Sequence, residues 1–135
     1  MTVRQLRLVV TVEDYDRAVA FYRDELGMPE EMAFASDDGR IVILDAGRAT
    51  LELTDARHAA FIDRVEVGRR VAGPIRVGLE VDDTAAMTDR LVAAGAELIA
   101  PPVETPWRSV NARLAGPDLQ LTLFQEPADG DAPPG

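Results

Sequence analysis

Two arginines, Arg7 and Arg76, hold the same place in two alternating segments that stand 69 residues apart. A guanidinium is cationic at every working pH and presents a planar fork of donors that matches carboxylate or phosphate. Two such groups on one wall would make an anion clamp. They would equally close an internal ion-pair network with Glu52 and Glu80, the carboxylates of matching placement. Glu52 is a weak candidate for a metal ligand, and a neighbouring arginine would lower its pKa and oppose a role as general base. Trp107 offers a stacking wall for a planar ligand. Asn111, Gln120 and Thr122 add uncharged donors and acceptors. His58 falls in a connecting segment and reads as a surface histidine.

Several chemistries are absent from these 135 residues. There is no cysteine, which excludes disulfides, thiolate nucleophiles and cysteine metal sites. All 14 basic residues are arginine, so Schiff-base chemistry and a P-loop are excluded. One histidine cannot make a multi-histidine metal site within the chain. Neither Ser36 nor Ser109 sits in anything like a nucleophile elbow. The net charge of −10 opposes nucleic-acid binding and favours solubility. No apolar run approaches the roughly 18–20 residues of a membrane span, and no signal pattern opens the chain. The expected location is cytoplasmic, with no membrane partner.

The elements that must carry these residues come as a repeat. Leu6–Asp14 aligns with Ile75–Asp83, and both alternate with period two, as half-buried strands do. Each runs into a helix, about 15–25 and 84–94, with Asp14 and Asp83 as N-caps and Gly27 and Gly95 as terminators. Three extended segments follow each helix. In the first copy they are about 30–36, 40–45 and 49–54; in the second, about 97–100, 109–114 and 119–125. The unit is therefore β-α-β-β-β. Module one spans about 3–55 and module two about 74–126. The connecting segment, 56–73, opens with a short helix over 56–65. Residues 1–126 form one domain, and 127–135 are expected to be a disordered tail.

The fold class is α+β, with the two βαβββ modules forming a curved mixed sheet around a cup and the helices on the convex side. Strand parity assigns the walls. Leu51 and Leu53, then Leu119, Leu121 and Leu123, turn towards the helices. Thr50, Glu52, Thr54, Gln120, Thr122 and Phe124 turn inward. Trp107, Ser109, Asn111 and Arg113 share one parity, opposite to Val110, Ala112 and Leu114. A concave wall holding Arg7, Glu52, Arg76, Glu80, Trp107, Asn111, Gln120 and Thr122 is a small-molecule site candidate.

The first helix ends in Ala-Phe-Tyr-Arg-Asp-Glu-Leu-Gly, residues 20–27. Further on stand Glu80-Val81-Asp82-Asp83, Ala93-Ala94-Gly95-Ala96, Pro101-Pro102 and Thr105-Pro106-Trp107. In this order the motifs resemble the vicinal oxygen chelate superfamily, the glyoxalase, bleomycin-resistance and ring-cleaving dioxygenase group, over residues 4–126. The resemblance implies paired βαβββ modules, usually in a homodimer, and one divalent metal held by His or Gln, Glu, His and Glu on the first and fourth strands. Carried over by position, those places are Arg7, Glu52, Arg76 and Thr122. Only Glu52 matches, and arginine does not ligate a metal. No cofactor is therefore expected. The expected function is metal-free binding of a small organic molecule, in sequestration or transport. The alternatives are a divalent-metal-dependent lyase, isomerase or dioxygenase, and a metal-free enzyme whose arginines stabilise an anion. A further alternative is an interaction module whose cup is filled by its own side chains.

Overall fold

The structure is a computed structural model that describes residues 4–127. By contact it divides into two compact units, one ending at Leu53 and one beginning at Thr54. The connecting segment belongs with the second.

In the first unit, α1 (Tyr15–Val19) continues as a π-helical stretch, Ala20–Glu25. Asp14 caps it, its side chain accepting from the Arg17 N–H at 3.1 Å. Gly27 follows with φ +75, a value that favours glycine. Strands β1 (Glu30–Ser36) and β2 (Gly39–Leu44) form an antiparallel hairpin around Asp37-Asp38. Among the described residues of this unit, the buried hydrophobic side chains are Ala18 and Phe21.

Two expected strands of this unit do not form. Residues 6–12 and 49–54 lie in no ladder. Leu51 and Leu53, expected against the helix, are 72% and 84% exposed. Alternation marks a segment that suits a sheet, but a strand exists only where a neighbour pairs its N–H and C=O groups. Here β1 and β2 pair only with each other.

The second unit holds the expected β-α-β-β-β and one helix more. Helix α2 (Ala56–Glu66) begins at Asp55, whose side chain accepts from the His58 N–H at 2.8 Å. Strand β3 (Val77–Glu80) leads to α3 (Thr84–Ala93), capped by Asp83 through the Ala86 N–H at 3.0 Å. Strands β4 (Glu97–Glu104), β5 (Val110–Gly116) and β6 (Leu119–Gln125) complete a sheet of order β3-β6-β5-β4. β3 runs parallel to β6, and the other pairs are antiparallel. β4 runs four residues beyond its expected end, through Pro101 and Pro102. It lies at the sheet edge, and its register shifts between Ala100 and Val103, which accommodates two residues without a backbone donor.

The two faces of this sheet differ. Ala112, Leu114, Leu121 and Leu123 are fully buried on the side of α3, with Leu91. This is the apolar core, and burial of each large aliphatic side chain contributes about 1.5–3 kcal/mol. By alternation Asn111, Arg113 and Thr122 lie on the other face, which receives α2. The expected tail, 127–135, lies outside the described residues except for its first position. No helix among the described residues is long and apolar enough to cross a membrane.

Candidate functional site

The polar face of the second unit is organised around Arg113, a full charge with 0% exposure. It is central in the sheet because β5 has neighbours on both sides, and it faces away from α3 because Ala112 and Leu114 face towards it. An isolated buried charge costs several kcal/mol, so the guanidinium requires partners. Helix α2 supplies two of them. Arg113 Nη1 donates to Asp63 Oδ1 at 2.7 Å, and Nη2 donates to Glu66 Oε1 at 2.8 Å. Nη1 also donates to Gln120 Oε1 at 2.8 Å.

Asp63 and Glu66 are 1% and 5% exposed. Three residues apart, they share one face of α2. Asp63 Oδ2 also accepts from Arg70 Nη1 at 2.6 Å and from the N–H groups of Val71 and Ala72 at 2.9 and 3.0 Å. Burial alone would raise the Asp63 pKa. The hydrogen bonds from Ala72, Arg113 and Val71, with the charge of Arg113, outweigh burial and hold it at about 2 instead of 3.8.

The network extends along the strands. Asn111 Nδ2 donates to Glu66 Oε2 at 2.8 Å, and Ser109 Oγ donates to Asn111 Oδ1 at 2.7 Å. Arg76 Nη1 donates to Thr122 Oγ1 at 2.6 Å, and Thr122 Oγ1 lies 3.4 Å from Glu66 Oε1. Gln120 Nε2 donates to the Val71 carbonyl at 3.2 Å. The face is a polar wall on which every named carboxylate oxygen meets a donor.

Of the expected site residues, this face brings together Arg76, Asn111, Gln120 and Thr122. Trp107 is half-buried, its ring 6.3 Å from that of Phe61 on α2. Glu80 is exposed. Arg7 and Glu52 are exposed residues of the first unit, and Arg7 Nε donates to Gln5 Oε1 at 3.1 Å. The carboxylates that meet the buried arginine are Asp63 and Glu66, neither of them among the expected site residues. The available signal was a charged residue inside an apolar strand, Val-Asn-Ala-Arg-Leu, and two acids at helical spacing just after Ile62.

On its outer side α2 carries an open depression of about 610 Å³, lined by Asp55, Arg57, His58, Ala60, Phe61 and Arg64. The Arg64 guanidinium lies 5.8 Å from the Phe61 ring centroid, and the His58 ring lies 5.8 Å from Phe61 on its other contact. His58 is exposed, as its place in the connecting segment implied.

Of Arg7, Glu52, Arg76 and Thr122, two are cationic and cannot ligate a divalent metal. Among the described residues, no three His, Cys, Asp or Glu side chains are grouped to hold an ion.

The glyoxalase/bleomycin resistance protein/dioxygenase superfamily model matches residues 4–130. No curated protein matches the chain. Solved structures do. One is a glyoxalase-related enzyme from Fulvimarina pelagi, with 17% identity, 98% of this chain and 99% of that chain covered, and a TM-score of 0.56. A second is a superfamily member from Sphaerobacter thermophilus, with 24% identity, 87% and 92% covered, and a TM-score of 0.57. A third is the hypothetical protein SA1046 from S. aureus, with 14% identity, 93% and 95% covered, and a TM-score of 0.63. Identities this low speak for the fold alone. With the family model spanning nearly its whole length, the chain belongs to the glyoxalase/bleomycin resistance protein/dioxygenase superfamily.

Proposed function

We propose that this chain binds a small organic molecule without a metal, in sequestration or transport. The observation that carries the reading is the hydrogen bond from Arg76 to Thr122 at 2.6 Å. These residues stand at two of the four positions that the family resemblance gives to metal ligands. A cation and a hydroxyl bonded to each other there suit recognition of a polar organic group better than coordination of an ion. Trp107, in the same unit, is assigned the role of a stacking surface. A thermal-shift screen of metabolites and natural products tests the reading. A compound that raises the melting temperature in a saturable way is the expected result, and a screen without one removes the function. Elemental analysis of the purified protein tests the metal-free part, which a stoichiometric divalent metal overturns.

A homodimer belongs to the same proposal. Leu6, Leu8, Val9, Leu51 and Leu53 of the first unit are exposed, and apolar side chains in such number support a protein contact. Size-exclusion chromatography with light scattering is expected to give twice the chain mass of 14.6 kDa. A cytoplasmic location completes the proposal and is read by cell fractionation.

A further inference from the structure

The carboxylate of Glu66 is held as a bound ligand would be held. Oε1 accepts from Arg113 Nη2 at 2.8 Å and from Nε at 3.3 Å, with Thr122 Oγ1 at 3.4 Å. Oε2 accepts from Asn111 Nδ2 at 2.8 Å. These donors all stand on β5 and β6, and the acceptor arrives from α2. The arrangement is a guanidinium fork flanked by an amide and a hydroxyl, which suits a planar group with two oxygens. Ser109 Oγ bonds Asn111 Oδ1 at 2.7 Å and so keeps the amide N–H₂ aimed at the carboxylate. Asp63 sets a second carboxylate on the same guanidinium, at Nη1.

We propose that the polar face of module two is a carboxylate-binding site built from Arg113, Asn111 and Thr122, with Glu66 of α2 as its tethered occupant. The inference rests on the small-molecule reading above and names its ligand class: a compound bearing a carboxylate, with a second acidic group where Asp63 lies. Helix α2 competes with such a compound from within the chain. The apparent affinity of the compound is reduced by the fraction of molecules in which α2 is withdrawn.

Chemical rescue tests the site. Glu66→Ala removes the carboxylate and leaves space for acetate, whereas Glu66→Gln keeps the space filled. Thermal unfolding of both variants and the unaltered protein is followed in sodium acetate, sodium phosphate and sodium chloride at equal ionic strength and neutral pH. In chloride, E66A is expected to melt at least about 10 °C below the unaltered protein, because it removes one of the two carboxylates that meet the buried Arg113 and leaves its Nε and Nη2 without that acceptor. Acetate is expected to restore part of that loss saturably in E66A. It should add nothing beyond chloride in E66Q or the unaltered protein. Should E66A not fold in chloride, its refolding from urea into acetate and into chloride gives the same comparison, with recovery expected in acetate. The proposal is overturned if E66A gains nothing specific from acetate by either route, if E66Q gains equally, or if phosphate matches acetate. Rescue of E66A with no hit in the screen keeps the carboxylate site and removes the small-molecule function. A hit without rescue does the reverse.

Discussion

Arg113 sits at 0% exposure and is tolerated because two acids reach it from a helix some fifty residues earlier in the chain. Arg113→Ala would leave Asp63 and Glu66 buried without their main cation. The expected loss is about 3–5 kcal/mol, measured by urea unfolding. Asp63 gives this cluster a pH signature. Its folded pKa, about 2, lies below the ordinary carboxylate value of 3.8. A depressed pKa contributes stability that is fully present above the unfolded value and is lost as pH falls through the folded one. Stability is therefore expected to hold above about pH 4 and to decline between about 4 and 2. In Asp63→Asn that decline should be shallower, on a lower plateau, as followed by urea melts across this range. Strand parity alone set Arg113, Asn111 and Thr122 on the polar side. It did not find Asp63 and Glu66, because their spacing marks a shared face of a helix but not the surface that face will meet.

At the scale of elements, the caps were legible and the pairings were not. Asp14 and Asp83 cap their helices because a short carboxylate satisfies first-turn N–H groups wherever the chain turns helical. That chemistry is local. Asp55 does the same for α2. Asp55→Ala and Asp83→Ala are each expected to cost about 1 kcal/mol, read as a fall in the urea midpoint. Asp55→Ala bears on the site as well, since α2 carries both acids that close on Arg113. The strands tell the opposite story. Segments 6–12 and 75–81 share one alternating pattern, yet only the second holds a strand, β3, paired to β6. The difference lies in the partner, which no property of the segment itself supplies.

For the molecule as a whole, burial is unequal between the units. The second holds Leu91, Ala112, Leu114, Leu121 and Leu123 at 0% exposure, while the first buries Ala18 and Phe21. A fragment from Thr54 onward is expected to unfold cooperatively by itself, because its core and its buried ion pairs are internal. A fragment ending at Leu53 is expected to show no cooperative transition, since so small an apolar core does not offset chain entropy. Circular dichroism melts of the two fragments distinguish these outcomes. What the residues determined unaided was local or periodic: the helices and their caps, the α+β class, and the polar side of β5 and β6. Those follow from spacing along one segment, where period and capping chemistry act over a few residues. Only the tertiary structure decided that α2 covers the polar face, that Glu66 and Asp63 answer Arg113, and that two well-patterned segments remain unpaired. Each depends on groups far apart in sequence meeting in space, and the free energy of a buried charge or a ladder hydrogen bond belongs to the pair.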